Sequence, residues 1–156
     1  IHWGNEYQLL PCAFQRDMAQ FLKDRGVDLI IGGHPHVIQP MQLEPNPKNN
    51  GRNTLLVYSL GNFISNMKTT DTRGGAMVRA TLKRDAQGHA YVADAGYRLV
   101  FTLQPGGKGQ NFRLVPIDND TKIDSVAGAR AGVCRAFVAS ALRIFDKHNK
   151  AVPRTR

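Results

Sequence analysis

His34, Pro35 and His36 have the residue types and the spacing of a metal-binding turn. The apolar, β-branched residues 27–31 predict a strand buried on both faces, and Gly32 and Gly33 separate this strand from the histidines. Ligand sites of open α/β sheets lie outside the carboxyl ends of the strands, which is where both imidazoles are expected. The turn therefore predicts metal binding, and the alternative is a turn that carries two solvated histidines.

The backbone of this turn is expected to be rigid. Gly32 and Gly33 allow a tight turn and a close approach to a bound group, whereas Pro35 fixes its own φ and biases His34 towards an extended conformation. We expect the His34 and His36 side chains to project in different directions. Such a pair suits two adjacent metal ions better than one.

A third histidine, His2, is predicted to lie at the same edge of the sheet. Pro11 suits a first helical turn and Gly26 closes a helix predicted over residues 11–25, whose apolar face is Phe14, Met18, Phe21 and Leu22. A strand ending at His2, this helix and a parallel strand ending before His34 would bring the three histidines together. On its own, a histidine before a tryptophan is more often a packed or capping residue than a ligand.

Several blocks of residues occur here in a specific order. They are His2-Trp3-Gly4 with Glu6-Tyr7, then Pro11 and Gln15, then Gly33-His34-Pro35-His36-Val37 with Gln39-Pro40, and then Tyr58-Ser59-Leu60-Gly61-Asn62-Phe63. In this order and spacing, residues 1–85 resemble the carboxyl-terminal half of the bacterial capsule and poly-γ-glutamate biosynthesis proteins (CapA or PgsA). That family belongs to the calcineurin-like metallophosphoesterase superfamily.

The resemblance implies a site for two divalent metal ions. His2 and His34 would bind one ion and His36 the other, and imidazole ligands suit Mn, Fe, Zn or Ni without choosing between them. Glu6 and Asn62 are the implied substrate-binding residues, with a structural role in the turn as the alternative for Asn62. The implied substrate is an anionic polymer or a phosphate ester, and no catalytic residue is assigned.

The chain also departs from the superfamily pattern. Metallophosphoesterase sites need Asp-x-His, Gly-Asp and Gly-Asn-His motifs upstream of the histidine blocks, and no such motif precedes them here. The Gly61-Asn62 pair is followed by Phe63 in place of histidine, and it comes after the histidine blocks. Because the chain opens at Ile1, one residue before His2, we expect a fragment that begins inside a domain and a site completed by upstream residues.

The expected fold is α/β, the second half of a metallophosphoesterase sandwich in which helices flank two packed β-sheets. Residues 1–118 are expected to form this half-domain, with a terminal helix and a basic tail, residues 119–156, packed on it. A polar loop is predicted over residues 41–53, and strands are predicted over residues 54–58, 76–83, 90–92, 97–103 and 112–115. Ser125 is the predicted N-cap of the final helix, and residues 150–156 are predicted to fray. The apolar stripe of that helix is predicted to be core and comprises Val126, Ala129, Val133, Phe137, Ala141 and Phe145.

Length, composition and charge restrict the class of protein further. At 156 residues and 42% hydrophobic content, the chain is long enough for one domain with a core, and it contains no apolar run of the length of a membrane span. The net charge of +9 is spread along the chain, so we expect a solvated basic surface without a dedicated nucleic-acid face. Cys12 and Cys134 lack the spacing of a zinc knuckle and are expected to be separate small hydrophobes; a disulfide between them is the alternative outside the cytoplasm.

Three functional hypotheses remain. The resemblance favours a capsule or poly-γ-glutamate biosynthesis protein with a two-metal phosphoesterase-type site, facing outward in the cell envelope and working with a membrane-bound synthesis or export complex. The second is a non-catalytic polymer-binding or assembly module with a vestigial metal site. The third is a mononuclear zinc hydrolase that uses His2, His34 and His36; it ranks last because the histidine pair is expected to diverge.

Overall fold

The computed structural model describes residues 1–155, which form two small β-sheets with three α-helices. The elements in chain order are α1 (Ala13–Asp24), β1 (Leu29–Ile31), β2 (Met41–Pro45), a 3₁₀ helix (Pro47–Asn49), β3 (Asn53–Val57), a 3₁₀ helix (Thr70–Thr72), β4 (Gly74–Arg84), β5 (Ala90–Leu103), β6 (Arg113–Ile117), α2 (Ile123–Ala127), a 3₁₀ helix (Gly128–Arg130) and α3 (Ala131–His148). None of the described helices is long and apolar enough to cross a membrane.

The first sheet is mixed and has the strand order β1-β3-β2. β1 runs parallel to β3, with Ile30 opposite Leu56, and β2 runs antiparallel to β3, with Leu43 opposite Leu55. A parallel bridge between His2 and Gly33 brings the amino-terminal segment beside the chain that leaves β1. His2 was predicted to lie beside the histidine turn at one sheet edge, and the backbone at His2 does pair with the start of that turn.

The second sheet is antiparallel throughout and has the order β4-β5-β6. Residues 90–92 and 97–103, predicted as two strands, are parts of the single strand β5. Its alternating residues face α3 across a closely packed core, where Phe101 and Phe137 are almost completely buried and their ring centroids lie 6.0 Å apart. The structure is thus α/β, with two three-stranded sheets sharing one main core.

A smaller cluster covers the other face of the first sheet. It consists of Trp3, Ala19, Ile30, Leu56 and Tyr58. The predicted helix is present as α1, but Phe14 and Phe21 of its predicted apolar face are exposed, and its buried residues are Gln15 and Ala19. The prediction was wrong for these phenylalanines, because α1 packs on the sheet through the small side chain of Ala19 and the hydrogen-bonding amide of Gln15.

Residues 41–53 are not wholly a loop. β2 occupies the first five of them, and Met41 and Leu43 alternate as buried residues with the more exposed Gln42 and Glu44. This two-residue period is the ordinary signature of a half-buried strand. It was missed because the prolines and asparagines that follow are typical of a turn.

The carboxyl-terminal region also differs from expectation. Ser125 lies inside α2, whose N-cap is Lys122, and Ala129 of the predicted apolar stripe is exposed. The tail does not fray over residues 150–155: Lys150 N donates to Met41 O (3.0 Å), and Thr155 N donates to Tyr97 O (2.8 Å). Arg156, the last residue of the predicted tail, lies outside the described residues. Backbone pairing to both sheets, together with the buried Val152, explains why this segment is bound.

Candidate metal centre

The histidine turn begins where two backbones and an indole approach closely. A Cβ at Gly32 would lie 2.2 Å from Tyr58 O and 2.3 Å from Trp3 Nε1, so only glycine fits there. Trp3 Nε1 donates to Tyr58 O (2.8 Å), and Gly33 N donates to Ile1 O (3.0 Å). These contacts anchor the segment that carries His2 against the start of the turn.

The three predicted histidines lie side by side. The ring centroids of His2 and His34 are 4.2 Å apart, and those of His34 and His36 are 6.1 Å apart. The His34 ring is therefore a neighbour of both other rings.

Glu6, predicted to bind substrate, faces two of these histidines, His34 and His36. One ligand atom each from Glu6, His34 and His36 lies within 4.8 Å of the others, and His36 Nε2 is 3.7 Å from Glu6 Oε1. Two ligand atoms at about 2.1 Å from a zinc ion in tetrahedral geometry are about 3.4 Å apart, so the measured separation is close to what one ion requires. These imidazole nitrogens and carboxylate oxygen fit a divalent transition metal.

The expectation that His34 and His36 diverge from extended backbone is wrong. His34 has φ +99° and His36 has φ +59°, so both histidines have left-handed backbone around Pro35. The bias that proline exerts on the preceding residue is overridden here, and the two side chains converge on Glu6. The reason for ranking a single-ion site last therefore no longer holds.

The loop that carries Glu6 is bound to the turn by its backbone and by two buried amides. Tyr7 N donates to Pro35 O (2.8 Å). Gln15 Nε2 donates to Gln39 Oε1 (2.8 Å), and Gln39 Nε2 donates to Gln8 O (2.8 Å). Both glutamines are fully buried, so they hold the loop over the sheet edge through hydrogen bonds shielded from water.

Asn62, the other predicted substrate-binding residue, contacts a histidine. Its Oδ1 lies 3.0 Å from His36 Nδ1, and its side chain is buried. The structure therefore places all five predicted site residues in one region, with Glu6 and Asn62 on opposite sides of the His36 ring. Sequence reasoning missed Glu6 as a candidate ligand, although its position four residues after His2, in the same block, was a usable signal.

The region that carries the candidate site is similar in sequence to known capsule synthesis proteins. Residues 1–67 match the family described as "Bacterial capsule synthesis protein PGA_cap". The chain is 41% identical over 87 residues to the "PGA biosynthesis protein CapA" of Bacillus subtilis (strain 168), an alignment that covers 56% of this chain and 21% of the relative. It is 35% identical over 82 residues to the "Capsule biosynthesis protein CapA" of Bacillus anthracis, covering 53% of this chain and 18% of the relative.

These alignments span about a fifth of the length of the curated relatives. No solved structure is significantly similar to the chain. All five candidate site residues fall within the segment that matches the family. Residues 1–67 of this chain are thus similar to the bacterial capsule synthesis protein family.

Proposed function

We propose that this chain supplies the histidine ligands of a metal-dependent phosphoesterase-type site in a capsule or poly-γ-glutamate biosynthesis protein. The observation that carries the proposal is the convergence of Glu6, His34 and His36 within 4.8 Å, inside the segment that matches the family. The two sheets would then be the second half of a metallophosphoesterase sandwich. In support, the histidines follow β1, which is one of two parallel neighbouring strands.

The proposed site holds two adjacent divalent ions. His36 and Glu6 would bind one ion, because His36 Nε2 lies 3.7 Å from Glu6 Oε1. His2 and His34 would bind the other, because their ring centroids are only 4.2 Å apart. Upstream residues of the longer protein would complete both coordination shells. The donor set suits Mn, Fe, Zn or Ni.

The residues of this chain would bind and orient the ions and the substrate. When bound, a pair of divalent ions stabilises the negative charge of a phosphoryl group under attack. The turn presents its imidazoles from a backbone held by Gly32 and by the Tyr7–Pro35 hydrogen bond. The net charge of +9 favours an anionic polymer or a phosphate ester as substrate. We further propose an outward-facing location in the cell envelope, with a membrane-bound synthesis or export complex as partner.

Calorimetric titration with Zn²⁺ and Mn²⁺ tests the metal site. We expect His34→Ala and His36→Ala each to weaken binding at least about tenfold, because each removes a ligand outright. His89→Ala is the matched control: this exposed histidine pairs with Asp85 and should leave affinity unchanged. Unchanged affinity in both site variants would refute the assignment.

A single-ion site is the second candidate, favoured by the convergence of His34 and His36 on Glu6. The stoichiometry of the titration separates the two candidates, with two ions per chain expected for the first and one for the second. A polymer-binding module without catalysis is distinguished by activity. A full-length protein that binds metal but does not hydrolyse a model phosphodiester would favour that module. Adding chelator would then leave the background rate unchanged.

A further inference from the structure

We infer that Asn62 is a positioning residue that fixes the tautomer of His36, so that the Nε2 atom of this ring is free to bind a metal ion. This inference rests on the proposed metal site. It assigns to Asn62 a role through His36 in place of the contact with substrate that the family resemblance implies. This role depends on which end of the Asn62 amide faces the ring.

The surroundings of Asn62 determine the orientation of its amide. Its Nδ2 donates to Thr72 O (3.0 Å) and lies 3.4 Å from Met67 Sδ. A backbone carbonyl oxygen only accepts hydrogen bonds, so the NH₂ group must face Thr72. The amide oxygen consequently faces His36 Nδ1, at 3.0 Å.

This orientation determines the position of the proton on the His36 ring. Because Asn62 Oδ1 only accepts, His36 Nδ1 must carry the hydrogen in the 3.0 Å contact. A neutral imidazole with its proton on Nδ1 has its lone pair on Nε2. This is the atom that lies 3.7 Å from Glu6 Oε1, on the side where the proposed ion would bind.

The backbone of Asn62 is held as firmly as its side chain. Asn62 N donates to Gly74 O (3.0 Å), and an antiparallel bridge joins Gly61 to Gly75. A Cβ at Gly75 would lie 2.7 Å from Asn62 O, so β4 approaches this turn as closely as glycine permits. Asn62 therefore links the His36 ring to a backbone held by β4, which makes the ring orientation part of the fold.

The tautomer is measurable directly in the metal-free protein. We expect the ¹⁵N chemical shifts of the neutral His36 ring to show a protonated Nδ1 and an unprotonated Nε2. The opposite assignment in the unsubstituted protein would overturn the inference, whether or not any variant folds. This measurement does not involve metal, so it separates failure of the Asn62 inference from failure of the proposed metal site.

Two substitutions then test whether the hydrogen bond affects metal binding. Asn62→Leu removes the acceptor at similar volume and is expected to weaken Zn²⁺ affinity about 10–100-fold and to lose the fixed tautomer. Asn62→Asp keeps an acceptor for Nδ1 but loses the donor to Thr72 O, so it is expected to retain the protonated Nδ1 and to lose less Zn²⁺ affinity than Asn62→Leu. Equal loss of Zn²⁺ affinity in the two variants, or no loss in Asn62→Leu, would contradict the positioning role.

Discussion

At the scale of single residues, the candidate site is the place where the backbone is most strained. Five non-glycine residues among residues 1–155 have positive φ, and three of them, Tyr7, His34 and His36, lie in this region. Such conformations cost about 1–3 kcal/mol each and persist where surrounding contacts impose them. Here the Tyr7–Pro35 hydrogen bond and the contact of Asn62 with His36 impose them. The strain is thus associated with presenting the imidazoles.

Comparing glycine and alanine at His36 isolates this strain. Both His36→Gly and His36→Ala lose the ring and its hydrogen bond, but only glycine adopts φ +59° without penalty. We expect His36→Gly to be about 1 kcal/mol more stable than His36→Ala. In thermal unfolding, this difference corresponds to a Tm that is higher by about 2–4 °C. The same pair at His89, which lacks a positive φ, is the control. If alanine is the more stable residue at both positions, the turn is not strained.

At the scale of elements, α1 positions the Glu6 loop through polar contacts. Gln15 accepts a hydrogen bond from Cys12 N (3.1 Å) at the start of α1 and donates to Gln39, which follows the histidine turn. A Cβ on Gly4 would lie 2.4 Å from Gln15 Oε1, so the amino-terminal loop crosses directly over this side chain. A buried glutamine thus joins a helix, a loop and the segment that leads into β2.

Replacing Gln15 should therefore affect both stability and the site. Gln15→Leu leaves Cys12 N and Gln39 Oε1 without their partner, and it should reduce the free energy of unfolding by about 1–3 kcal/mol in urea titrations. Metal affinity should fall as well, because the loop that carries Glu6 loosens. Gln20→Leu on the exposed side of α1, where the Gln20 side chain donates to Asp24, should change stability by less than about 0.5 kcal/mol. Equal effects of the two substitutions would refute the role of this network.

At the scale of the whole molecule, one continuous core joins the sheets to α3. Met41 and Leu55 of the first sheet, Phe101 of the second and Phe137 of α3 belong to the same cluster of buried residues. Cys134, on α3, is fully buried in this cluster, and burial raises the pKa of its thiol to about 11. Cys12 lies at the surface-facing start of α1, and both thiols are free. They behave as separate residues, as their spacing predicted.

Thiol labelling measures the cooperativity of this core. With iodoacetamide at pH 8 under native conditions, we expect Cys12 to react and Cys134 to be protected, because Cys134 is buried and remains protonated below its pKa of about 11. Urea should expose Cys134 in the same transition that is seen by circular dichroism. Cys12→Ser provides a single-thiol protein for this measurement. Rapid native labelling of Cys134 would show that α3 detaches from the sheets without global unfolding.

Local sequence signals predicted much of this fold. The apolar residues 27–31 precede the histidine turn as expected, with the strand itself covering Leu29–Ile31. The helix predicted over residues 11–25 is observed at Ala13–Asp24. Such elements are predictable because their hydrophobic period is contained within a single segment. The bound tail was not predicted because its partner Tyr97 lies elsewhere in the chain. β2 was missed because the prolines and asparagines that follow it are typical of a turn.

The sequence by itself identified His2, His34 and His36 as candidate metal ligands, and it carries the similarity of residues 1–67 to the bacterial capsule synthesis protein family. Residue types and the order of the blocks were sufficient for that. The tertiary structure decided that His34 and His36 converge on Glu6, and that Asn62 faces His36 from a turn 26 residues away. These features depend on left-handed backbone and on contacts between distant segments. A local pattern cannot specify them, because the energy that pays for the strain comes from packing formed only when the whole chain has folded.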